Sequence, residues 1–110
     1  MAKKYNLEIL APARSELHEI ARLHLELVGP ASARKITDKI KRSLANLTTH
    51  PHMGATFPDS GLKREGYRKL VCGYYICVYR LIGETVYVYH IIDGRTNYKR
   101  LLSNLPDSQS

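Results

Sequence analysis

Arg68, Lys69, Arg80 and Arg95 are four cations that fall within, or at the ends of, successive strand-like runs. Cations arriving from separate strands of one small sheet suit phosphate, because each guanidinium can donate two parallel hydrogen bonds to it. Facing one side, they would form a polyanion cradle; alternating, they would be a solvated rim. The run VYVYHIIDGRTNY, residues 86–98, brings His90, Asn97 and Tyr98 to the same neighbourhood. It begins with the two-residue period of a pleated strand and empties without a break into a polar, cationic, aromatic cluster. Such a cluster is either an ordinary strand end or a site built on the rim of a sheet. Lys99 and Arg100 follow it directly and extend the positive charge.

Seven of the eight tyrosines lie between Tyr67 and Tyr98. Strand alternation puts Tyr75, Cys77 and Tyr79 on one face, with Ile76, Val78 and Arg80 on the other. In the next run Tyr87, Tyr89 and Ile91 oppose Val86, Val88 and His90. A tyrosine-rich face is what strand propensity alone produces, and it is equally a surface on which bases or a partner's side chains stack. His90 and His24 are single histidines on apolar faces, a setting in which a neighbour usually satisfies the ring; a nearby phosphate or carboxylate would give His90 a role. Cys72 and Cys77 read as buried free thiols. The pair His50-Pro-His52 lacks further ligands at zinc spacing, so neither a metal nor a cofactor is expected.

The chain has 110 residues, a net charge of +7 and a pI near 9.6. That length is one domain with one core, and 44% apolar residues suffice to fold it. The charge attracts polyanions: nucleic acid, a ribosome or an acidic protein. No run approaches the roughly 18 apolar residues of a membrane span, and MAKKYN lacks a signal-peptide core. A cytoplasmic protein without a membrane partner is the expectation.

These residues need elements to hold them. Tyr5, Leu7 and Ile9 alternate as a first strand. After Pro12 the period becomes helical, with Leu17, Ile20, Ala21, His24, Leu27 and Val28 on one face, until Gly29-Pro30 stops it. A second helix from about Ala31 carries the stripe Ala33, Ile36, Ile40, Leu44 and Leu47 and ends before Pro51. Residues 50–65 read as a loop with a short strand near Thr56 and Phe57. Residues 67–71, 74–81 and 86–92 read as antiparallel strands, with Gly83-Glu84 a two-residue hairpin turn. The predicted fold is α+β: an N-terminal strand, a two-helix hairpin, then a three-stranded antiparallel meander, in one small sheet with helices on one face and the other largely open. Tyr98-Lys99-Arg100-Leu101-Leu102 reads as a short terminal helix or an arm; the domain spans 1–105, and 106–110 is a solvated tail.

From about Tyr5 to Leu102, this ordered pattern resembles the RelE/ParE superfamily of type II toxin–antitoxin toxins. The features are the helical hairpin ending in Leu47-x-x-x-Pro51-x-x-Gly54, then YRKL at 67–70, YYICVYRL at 74–81 and VYVYHIIDGRTNY. The resemblance implies a growth-arresting toxin neutralised by a cognate antitoxin that wraps its basic surface, the complex binding operator DNA through the antitoxin. It also implies one of two targets. RelE-like members cut messenger RNA on the ribosome, which needs cations for the developing charge and a side chain to handle protons. ParE-like members poison DNA gyrase by contact.

Aligned with RelE, the chain has Ile76 and Thr96 where that toxin carries arginines, and Tyr67 where it carries a basic residue; Lys69 matches, while Tyr98 lies close to the base-stacking tyrosine. The ParE pattern fits better, through Arg68 and the run from His90 to Arg95. A gyrase poison is therefore the leading expectation. A ribosome-dependent endoribonuclease with a rearranged site is the alternative, and a non-toxic, antitoxin-binding module of transcriptional autoregulation is the third reading. Any catalysis would fall to Arg68, Lys69, Arg95 and Tyr98, and target or nucleic-acid contact to Arg80, His90, Asn97, Lys99 and Arg100.

Overall fold

The computed structural model describes residues 3–106; of the expected tail, all but Pro106 lies outside them. Strand β1 (Asn6–Ile9) leads into helix α1 (Ala11–Leu27) and helix α2 (Pro30–Asn46). Then come β2 (Ala55–Thr56), the five-residue helix α3 (Ser60–Arg64), β3 (Arg68–Cys72), β4 (Tyr75–Ile82), β5 (Thr85–Asp93) and the short helix α4 (Lys99–Leu102). Pro12 and Pro30 each open a helix, where a fixed φ helps and the missing N–H costs nothing. Gly83 (φ 61°) supplies the left-handed turn that closes β4 onto β5 in the register Ile82↔Thr85.

The sheet is five-stranded, in the order β1-β5-β4-β3-β2. The expected meander β3-β4-β5 is its centre. β2 extends it antiparallel on one side, and β1 pairs parallel with β5 on the other, from Asn6↔Thr85 to Ile9↔Val88. The fold is α+β as expected, with one correction: the second face is not open. Helices α1 and α2 cover one face, where Ala13, Ile20, Ile40, Leu44 and Leu47 pack on Leu70, Cys77, Tyr79, Val86 and Val88. On the other, α3, α4 and the segment after it cover Phe57, Tyr67, Ile76, Val78, Tyr89 and Ile92 through Leu62, Leu102 and Leu105. The five-residue α3 is too short for a legible period, whereas α4 falls in the run 98–102, expected as a short terminal helix or an arm. The result is a slab of 42 × 39 × 22 Å.

Two further expectations change. β5 carries a bulge: Val78 pairs with His90 and Tyr79 with Val88, so Tyr89 has no opposite residue. The extra residue shifts the alternation, placing Ile91 with Val88 on the helix side and Ile92 with Tyr89 on the other. Leu27 and Val28, read as part of α1's buried stripe, are 74% and 73% exposed. His24 is the last α1 side chain hydrogen-bonded to the sheet, its Nε2 lying 3.0 Å from the Tyr75 hydroxyl, and the final turn runs past the strands.

Cys77 is fully buried among these side chains, and burial pushes its thiol up to about 12 from an ordinary value of 9.0. The unfolded thiol ionises first, so its contribution to stability is complete below about pH 9 and is lost as pH rises toward about 12. Replacing Cys77 with alanine should therefore lessen the fall in urea midpoint between about pH 8 and about pH 10; an unchanged fall would remove the thiol from that account.

Candidate functional site

Between α3 and α4, on the face of the sheet away from α1 and α2, lies a groove of about 730 Å³. Its floor is Tyr67, and Phe57, Leu62 and Leu102 form its apolar walls. Alternation along β3 sends Lys69 to this side, where its Nζ lies 5.7 Å from the centre of the Phe57 ring. Asp59 starts α3 by accepting a hydrogen bond from the Leu62 backbone N–H (3.0 Å), which brings Arg64 to the rim. Across the groove, the chain leaves β5 in a turn closed by Thr96, whose backbone N–H and hydroxyl both donate to the Asp93 carbonyl (3.1 and 2.7 Å). That turn delivers Asn97, Tyr98 and Lys99 to the rim. The Tyr67 hydroxyl donates to the Pro106 carbonyl and ties the C-terminal segment down.

The nine expected site residues divide between this groove and elsewhere. Lys69, Asn97, Tyr98 and Lys99 line it together. Arg100 is exposed on α4. Arg68 turns the other way and donates through Nη1 to the carbonyls of Gly54 (2.8 Å) and His52 (3.2 Å), holding the loop before β2. Arg80 is 6% exposed, against its expectation as a target contact. Its guanidinium lies 4.5 Å from the Tyr67 ring centre and 5.3 Å from that of Tyr89; its Nε donates to the Tyr89 hydroxyl (2.9 Å), and its Nη1 is 3.6 Å from the Glu65 carboxylate. Arg95 forms a two-point pair with its neighbour Asp93 (3.0 and 2.8 Å) and stacks 4.2 Å from the centre of the Tyr74 ring. This pairing holds the Asp93 carboxyl below its usual range.

His90 does have a carboxylate beside it. Both oxygens of Glu16 lie within 3.2 Å of its Nδ1, and one also accepts the Ile91 backbone N–H (2.9 Å). β1 ends at Ile9, opposite Val88, and three residues further along β5 the Glu16 carboxylate takes the Ile91 N–H that β1 does not reach. Glu16 sits mid-helix with no distinguishing pattern, so nothing in the sequence marked it. Arg64 was equally unmarked, because its helix was read as loop.

The groove's electrostatics follow from these partners. Arg64, Lys69 and Lys99 face it, while Asp59 is engaged in capping α3 and Glu65 lies beside Arg80. Burial pushes the Tyr67 phenol up, so it stays protonated as a donor. Neither histidine nor cysteine lines the groove among the described residues. The lining thus sets three cations and the Tyr67 and Tyr98 rings among apolar walls.

A family model described as the ParE toxin of type II toxin–antitoxin system, parDE, matches residues 7–98. The chain belongs to this toxin family. Among solved structures, the chromosomal ParDE system from P. aeruginosa aligns with a TM-score of 0.69 at 21% identity, covering 84% of this chain and 98% of that one. The toxin–antitoxin complex RelBE2 from Mycobacterium tuberculosis aligns with a TM-score of 0.56 at 16% identity, over 82% and 91%. At those identities the likeness is one of fold. No curated protein matches the sequence.

Two positions of this ParE-family toxin now have a structural meaning. Ile76, where the RelE pattern carries an arginine, is 8% exposed in the second core, where a cation would be buried. Thr96 lines the groove and closes the turn after β5, its hydroxyl donating to the Asp93 carbonyl. No helix of the described residues is long and apolar enough to cross a membrane.

Proposed function

We propose that this ParE-family toxin arrests growth by gripping its target in the α3–α4 groove without cutting it, and that the target is DNA gyrase. The observation that carries the reading is the engagement of the chemistry a nuclease would need. Of the four residues to which catalysis would fall, Arg68 holds the carbonyls of His52 and Gly54 and Arg95 is paired with Asp93, and neither lines the groove; the cation Arg80 is buried between two tyrosines. What remains there is Lys69, Asn97, Tyr98 and Lys99, a set suited to contact.

The cognate antitoxin covers the exposed apolar end of α1, at Leu23, Leu27 and Val28, and carries the complex to operator DNA. A bare patch of that kind marks a protein interface. The whole cycle takes place in the cytoplasm. One observation favours a ribosome-dependent nuclease instead: Lys69 and Tyr98 share the groove, a cation and a ring placed for phosphate and base.

Induction without antitoxin, with labelled thymidine and amino-acid incorporation followed together, tests the proposal. Thymidine incorporation is expected to fall first. An immediate fall in amino-acid incorporation would transfer the target to the ribosome, and undisturbed growth with tight antitoxin binding would leave only the regulatory module.

A further inference from the structure

The outward face of α2 carries a charge that its packing does not require. Arg34, Lys35, Lys39, Lys41 and Arg42 are all exposed, and among the described residues none of them enters an ion pair. Asp38 is the one carboxylate among them. Five cations less one carboxylate leave +4 on this 17-residue helix, against +7 for the whole chain. At 3.6 residues per turn they spread over about 160° of the side away from Ile40 and Leu44, and they extend about 12 Å along the axis. Lys35 and Arg42 lie nearest the middle of that arc, Lys41 at one edge and Lys39 at the other, where its Nζ leans over the turn at Gly73. Like charges so close repel, and a buried stripe complete without them gives no reason to keep them.

The residue types narrow the partner. Protein interfaces are anchored by aromatic and large apolar side chains and are poor in lysine. This arc has three lysines, and its other outward positions are Ala31, Ala45 and Asn46. Single-stranded nucleic acid is held by rings on which bases stack, and no aromatic residue occurs in α2. Point charges along a straight helix match the phosphates of a duplex, contacted without reading its bases.

We propose that the outward face of α2 is a docking surface for the sugar–phosphate backbone of double-stranded DNA, independent of sequence. It lies on the opposite side of the sheet from the groove, so the proposal stands apart from the identity of the toxin's target. The test is fluorescence anisotropy of a labelled mixed-sequence duplex of about 20 base pairs, titrated with the full chain between about 50 and about 200 mM NaCl. Log affinity should fall with log salt at about −0.9 per phosphate contacted.

The variant K35Q/K39Q/K41Q should lose about tenfold or more in affinity at low salt and flatten the slope by about two to three. Glutamine preserves helix propensity, and each single replacement should flatten the slope by about one. K69Q/K99Q, in the groove, should stay within about twofold of the parent. Wild-type binding by the triple variant overturns the proposal. So does an equal loss in K69Q/K99Q, which would move the duplex to the groove, and so does tighter binding of polyglutamate than of duplex at the same salt, which would make the partner an acidic protein.

Discussion

Replacing Arg80 with alanine is expected to cost about 3–5 kcal/mol of stability, the range found when one partner of a buried ion pair is removed. The side chains of Arg80 and Glu65 are 7% and 12% exposed, so truncation takes the cation away from a carboxylate largely shielded from bulk water. It also removes a cation held against two rings, each contact worth up to about 2 kcal/mol when desolvated. For a domain of this size the melting temperature should fall by more than about 10 °C. Arg80→Lys should recover part of the loss, because an ammonium keeps the charge but neither stacks as a plane nor reproduces the bond from Nε to Tyr89. Thermal melts of both variants, with Glu65→Gln to complete a cycle, decide the matter. A stable Arg80→Ala protein that has lost toxicity would instead make this guanidinium a target contact.

Gly54→Ala should be nearly as damaging, for a steric reason. A Cβ at this position would sit 2.7 Å from the Tyr79 hydroxyl and 2.8 Å from the Lys69 carbonyl oxygen. Neither can yield. Tyr79 is fully buried, and its hydroxyl accepts from the Gly54 N–H (2.9 Å) while donating to the Pro51 carbonyl (2.9 Å). The carbonyl belongs to β3. Overpacking of this kind costs about 1–3 kcal/mol, and each hydrogen bond displaced adds about 1 kcal/mol. Adding Tyr79→Phe removes the closest atom, so the double variant should be more stable than the two single losses summed. Urea midpoints measure this. A loss below about 0.5 kcal/mol in Gly54→Ala would mean that the loop before β2 moves freely.

Much of this architecture was legible because its signals are local. Pro12 and Gly29-Pro30 bound the first helix, the stripe Ile40-Leu44-Leu47 identifies the buried side of the second, and Gly83 marks the hairpin. What stayed hidden depends on contacts distant in sequence. Alternation separates Tyr75, Cys77 and Tyr79 from Ile76, Val78 and Arg80, yet it cannot say that helices cover the first set or that Arg80 has two rings and a carboxylate waiting. Within β5 even the alternation fails, because the bulge at Tyr89 has no marker residue such as glycine. The candidate site was half legible. The segment Asn97-Tyr98-Lys99 stands out as the polar end of a strand, but its facing wall is built by α3, a five-residue helix inside the stretch read as loop.

The slab shape sets a rule for anything that controls this protein. With the two surfaces back to back, a molecule lying flat on either leaves the other free to act. Silencing both sides takes two inhibitors, or one polypeptide that turns the rim. To cross the 22 Å thickness, such a chain needs about seven residues in extended form at about 3.3 Å each. A linker shorter than that restrains the toxin on one side only.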